Sequence, residues 1–70
     1  MDISKLKILR TQIIKNKDIL QEIHPYTDEI IVSINTIIRQ NPSKTMFNMW
    51  YLNMKEVLDE IQKSIDDINS

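Results

Sequence analysis

Seventy residues with a net charge of −1, no glycine, no cysteine, two prolines and one histidine leave room for one domain and few kinds of chemistry. Without cysteine there is no disulfide staple and no thiolate metal ligand, and His24 alone makes no histidine cluster. The near-neutral balance offers no electrostatic footprint for nucleic acid. The lack of glycine weighs against tight hairpins, bulges and phosphate-cradling loops.

A chain of this size buries only about 60% of its unfolded surface. Marginal stability or self-association is therefore expected, with association the remaining common stabiliser. Charge is uneven along the chain: residues 1–17 carry +4, residues 18–42 carry −3 and residues 43–70 carry −2. The basic first segment reads as a solvated helix face. The opening MDISKLKILRTQII mixes charge with apolar residues and lacks the continuous apolar core of a secretory signal. No stretch approaches the roughly 18 uncharged apolar residues of a membrane span. A cytoplasmic location is expected, with export by a route that needs no cleaved signal as the alternative.

The first helix is predicted over about residues 3–23. Leu6, Leu9, Ile13, Leu20 and Ile23 fall at helical spacing, with polar Asn16 inside the seam and Ile8, Ile14 and Ile19 beside it. Asp2 or Ser4 can cap its start. His24-Pro25 disfavours continuation, because the proline ring crowds the preceding residue out of the helical region. If Pro25 only kinks the chain, the first two segments form one long bent helix.

A second helix is predicted over 27–40, with Thr27 as N-cap and Asp28 and Glu29 in the first turn, where the helix dipole favours negative charge. Its stripe is Ile30, Ile34, Ile37 and Ile38. The β-branched run IIVSINTII would suit a strand on propensity alone. It lacks a glycine turn, a partner run and strict alternation, and a helix is the better reading.

Asn41-Pro42-Ser43 is the clearest punctuation. Either Asn41 caps with Pro42 at the first helical position, or Ser43 caps after a short turn. The last helix then spans about 43–68. Phe47, Met54, Ile61 and Ile68 share one heptad position, Trp50 and Val57 share the next core position, and Tyr51, Leu58 and Ile65 flank them. The stripe is wider than a two-stranded coiled-coil seam and suits a bundle. The expected class is all-α: one domain over 1–70, as a helical hairpin or a small three-helix bundle.

Met46, Met49 and Leu52 do not fit that stripe. At 100° per residue they point away from Phe47, Trp50 and Met54, so the opening turns of the last helix are apolar nearly all round. Exposed apolar surface on this scale marks an interaction site, and flexible methionine suits a packing surface. The alternative is that the 27–40 segment folds over this face. The expected partner-binding set is Met46, Phe47, Met49, Trp50, Leu52 and Met54.

No reactive constellation stands out. Trp50 and Tyr51 read as core or interface anchors, and His24 as a turn residue. Lys55, Asp59 and Lys63 at i,i+4 spacing make a solvated face. Asp66 and Asp67 oppose the helix dipole and predict fraying. No nucleophile–base pair or phosphate loop is evident, and no enzyme, metal, cofactor or small-molecule substrate is expected.

A helix, the break Asn41-Pro42-Ser43, and a helix opening with aromatic residues together resemble the small proteins of bacterial type III secretion needles. The needle subunits are helical hairpins with a similar Pro-Ser turn, here Pro42-Ser43. Against them, only 27 residues follow Ser43, and IQKSIDDINS lacks an aromatic and basic end. The stretch MFNMWYLNMKEVLDEIQKSI is more similar to the second helix of the short needle co-chaperones. That resemblance implies a helical hairpin that joins a larger repeat-type chaperone and keeps the needle subunit soluble in the cytoplasm. The expected function is a non-catalytic module that masks apolar helical surface of a partner. A small regulatory inhibitor or antitoxin-like protein, or a self-assembling needle-type subunit forming a homo-oligomer, is the alternative.

Overall fold

Asp2 starts the first helix. In the computed structural model, which describes all 70 residues, its carboxylate accepts from the Lys5 backbone N–H at 2.9 Å. Helix α1 runs Ile3–Lys15, and α2 follows at Lys17–Ile23. The single helix expected over 3–23 is thus interrupted at Asn16, whose side-chain amide donates to the Gln12 carbonyl at 2.8 Å. Asparagine competes for backbone partners in this way, which is why it is a poor helix-interior residue. Leu6, Leu9, Ile13 and Leu20 are buried as the spacing predicts. Ile23 is not: it ends a helix of two turns and is exposed, as are Ile8, Ile14 and Ile19.

The turn at 24–26 corrects the expected cap of the next helix. Helix α3 spans Thr27–Arg39, with Tyr26 in the cap position and Thr27 already helical. Thr27 is fully buried, and its hydroxyl donates back to the His24 carbonyl at 2.6 Å. The Thr27 N–H donates to the same carbonyl at 3.0 Å. The turn through Pro25 is tight enough that the threonine oxygen faces backward rather than into the first turn of α3. Ile30, Ile34 and Ile37 are buried from there on.

Asn41 is the one residue with positive φ, at 48°. It sits just past the end of α3, where a left-handed residue closes a helix, and its N–H donates to the Ile38 carbonyl at 3.2 Å. In a chain without glycine, asparagine is the residue that tolerates this conformation best. Pro42 prevents continuation, and Ser43 caps the last helix by accepting from the Met46 N–H at 3.2 Å. Of the two caps the sequence allowed, Ser43 is the one used.

Helix α4 runs Lys44–Ile68. It turns back on α3, and the bond from Trp50 Nε1 to Ser33 Oγ (3.1 Å) joins the two at similar distances either side of the turn. The fold is all-α, with a core of eleven buried side chains drawn from all four helices. On α4 the buried line is Phe47, Leu58, Ile61 and Ile65. Leu58 and Ile65, expected as flanks, lie at its centre, while Trp50, Met54, Val57 and Ile68 are half-buried against it. The accessible surface of 4825 Å² is close to the roughly 4,600 Å² expected for a folded chain of this mass. No helix is long and apolar enough to cross a membrane.

Candidate protein-docking face

The first turns of α4 separate two kinds of apolar side chain. On one side, Phe47 is 5% exposed and stacks on Tyr51, with ring centroids 6.4 Å apart and nearly parallel planes. It also lies against Trp50 at 5.9 Å in a tilted arrangement, and Trp50 is fixed to α3 through Ser33. Aromatic pairs at such separations add to simple area burial.

On the other side, Met46, Met49 and Leu52 are 42%, 64% and 72% exposed. They recur every third residue, so they make one inclined ridge across the outer surface of the helix. The idea that α3 folds over them does not hold: all three are exposed, and α3 reaches α4 through the Ser33 hydroxyl on Trp50 instead. Three of the six expected docking residues are therefore placed differently. Phe47 belongs to the core, and Trp50 and Met54 are half-buried beside it. The helical stripe requires this: at 100° per residue, Phe47 lies on the far side of the helix from Met49.

The ridge is flanked by neutral groups, with Thr45, Asn48 and Asn53 exposed around it. Apart from Lys44 at the helix start, the first charges on α4 are Lys55 and Glu56, beyond Leu52. Lys55 pairs with Asp59 at 3.1 Å, as the i,i+4 spacing predicts, and the further contact from Asp59 to Lys63 is not made. The hydrogen bond that Lys55 donates to Asp59, and then the Asp59 charge, raise the Lys55 pKa above the ordinary 10.5. Both groups are exposed, and such a pair is screened by salt.

One constellation had no signal in the sequence. His24 Nε2 lies 2.9 Å from Ser64 Oγ, forty residues away, and Nδ1 lies 3.1 Å from the Tyr26 hydroxyl. Both ring nitrogens are thus engaged by hydroxyl groups. No hollow adjoins them. The one hollow, about 260 Å³, is lined by Met1, Lys5, Ile8, Leu9, Gln12 and Gln62. The His24–Ser64 contact holds the α2–α3 turn against the last third of α4. No group of three metal-binding side chains comes together, and every buried side-chain nitrogen and oxygen has a partner.

No protein family, curated protein or solved structure matches this chain.

Proposed function

We propose that this chain is a non-catalytic protein-binding module that receives an amphipathic helix of another molecule on Met46, Met49 and Leu52. One observation carries the reading: three large apolar side chains stand in water on a single helix face while eleven others fill the core. Apolar surface gathered in this way is costly to leave wet and is covered by a partner in many proteins. A helix laid along the ridge would bury its own apolar stripe there, a common mode of peptide recognition. Methionine adapts its shape to the incoming side chains.

The contact is small, which places it among the weaker, transient interactions unless flanking residues join it. A co-chaperone that shields an aggregation-prone helix until it is handed on needs a contact of this kind. In that form the chain works in the cytoplasm, alongside a helical client.

Affinity purification from the native host with the wild-type chain, Met49→Asp and Ile14→Asp tests the reading. The same co-purifying protein should appear with wild type and Ile14→Asp and vanish with Met49→Asp. Retention of that protein by a folded Met49→Asp variant would overturn it.

A further inference from the structure

We infer that the outer seam between α1 and α3 is a peripheral docking site for an anionic lipid bilayer, with Lys7, Lys15 and Arg39 set around the exposed aliphatic pair Ile14 and Val32. The seam lies away from the Met46–Met49–Leu52 ridge and does not depend on what that ridge binds.

Two contacts fix how the helices lie together. Arg10 Nη1 donates to Asn35 Oδ1 at 3.0 Å, and Lys17 Nζ meets Asp28 Oδ1 at 2.8 Å. The pairs are seven residues apart along each segment, in opposite chain directions, so α1 and α3 run antiparallel. In that register Ile14 comes level with Val32, and Lys7 with Arg39. At 100° per residue, Lys7 and Ile14 lie within about 60° of Arg10, on the side of α1 away from Leu6, Leu9 and Ile13. By the same measure Val32 and Arg39 lie within about 60° of Asn35, away from Ile30, Ile34 and Ile37. Ile14 is 53% exposed and Val32 63%.

This seam is rich in cations and nearly free of anions. Lys7, Lys15 and Arg39 are exposed and belong to neither ion pair of the chain, Lys17–Asp28 or Lys55–Asp59. Arg10 is held by a neutral amide, so its charge also stands uncompensated. The one carboxylate on this side of α3 is Asp28, which Lys17 already pairs. Glu29 lies about 120° round α3 from Asn35, and Asp18 and Glu22 sit beyond the break at Asn16, on α2. The outer face of α4 carries Glu56, Glu60 and Asp67, all exposed. The molecule is thus polarised, and an anionic surface would draw the α1–α3 seam toward it and repel the far side of α4.

The aliphatic residues select a bilayer over a nucleic acid. Interfacial binding adds buried apolar area to attraction for anionic headgroups, and Ile14 and Val32 supply the first among cations that supply the second. A nucleic acid would leave both side chains wet. Single strands are gripped by aromatic stacking, and the exposed aromatic Tyr26 is turned to His24 instead.

Co-sedimentation of the full chain with phosphatidylcholine vesicles, with and without phosphatidylserine, tests the inference. Wild type should bind only the vesicles that contain phosphatidylserine, and binding should fall as salt rises. Lys7→Gln and Arg39→Gln should each lower the partition coefficient about fivefold, the effect of one cation near an anionic surface. Lys63→Gln removes the same charge from α4 and should lower it far less. Ile14→Ser combined with Val32→Ser should weaken vesicle binding while keeping the wild-type circular dichroism spectrum. Met49→Asp should bind vesicles nearly as wild type does, which separates this site from the ridge. Absence of wild-type binding at low salt overturns the inference, as does an equal loss in Lys63→Gln and Lys7→Gln. Lysine-dependent binding to duplex RNA, indifferent to Ile14 and Val32 and without binding to vesicles, would assign the seam to nucleic acid and overturn it too.

Discussion

The imidazole of His24 meets the hydroxyl of Ser64 at 2.9 Å and joins the turn between α2 and α3 to the last third of α4. The Tyr26 hydroxyl holds the other ring nitrogen at 3.1 Å, so the ring is oriented from both sides. Removing the Ser64 hydroxyl leaves a half-buried nitrogen without its partner. Ser64→Ala should cost about 0.5–1.5 kcal/mol in urea unfolding. His24→Ala combined with Ser64→Ala should cost less than the two single changes added, since both remove the same contact. Strict additivity would mean that the contact contributes nothing.

Thr27 offers a sharper test, because its two readings predict opposite outcomes. At an N-cap, aspartate serves as well as threonine. At a fully buried position whose hydroxyl donates to the His24 carbonyl, aspartate brings an unpaired charge and no donor. Thr27→Asp should therefore destabilise by about 3 kcal/mol or more. Chemical denaturation that finds Thr27→Asp as stable as wild type would restore the capping role.

Asn41 holds the left-handed position at the end of α3. Replacement by a residue with a larger penalty there should loosen the turn between α3 and α4. Asn41→Val is expected to cost about 1–2 kcal/mol. Asn41→Gly should be neutral within a few tenths, since relief of the Cβ clash is offset by a freer unfolded chain. Thermal melts of the two variants side by side check this, and equal losses would remove the backbone explanation.

The ion pair between Lys17 and Asp28, 2.8 Å apart, predicts a pH effect of definite sign. The hydrogen bond that Lys17 donates to Asp28, and then the Asp28 charge, raise the Lys17 pKa above 10.5. A cation whose pKa is higher folded than unfolded adds stability that is fully present below the unfolded value. That stability is lost as pH rises through the folded value. The melting-temperature difference between wild type and Lys17→Gln should hold steady up to about pH 10 and shrink in stronger alkali. It should also be small, because the pair is exposed and salt-screened. A difference that grows with alkali would reverse the assignment.

Much of this architecture is legible in the amino-acid sequence. The all-α class, the break at Asn41-Pro42-Ser43, and the outward direction of Met46, Met49 and Leu52 follow from periodicity and from what proline and serine do to a backbone. The misses have local physical causes. Asn16 interrupts the first helix through a bond to its own backbone, which no hydrophobic pattern records. Thr27 suits a cap by type, and only the geometry of the turn before it sends its hydroxyl backward. Phe47 adjoins the exposed Met46 and Met49 in sequence, but its place in the stripe sets it in the core. His24 and Ser64 meet through the fold alone, so neither residue carried a sign of the other.

The division of α4 into a buried face and a docking face is tested most directly by a matched pair of substitutions. Ile61 is fully buried, and Met49 is 64% exposed. Ile61→Ala should lower folding stability by about 2–5 kcal/mol, as expected when an aliphatic core residue is cut back. Met49→Asp should keep the wild-type circular dichroism spectrum and nearly the wild-type unfolding midpoint, yet abolish association with a partner or a second copy. Unfolding of Met49→Asp as severe as that of Ile61→Ala would place this face inside the core and contradict its role in binding.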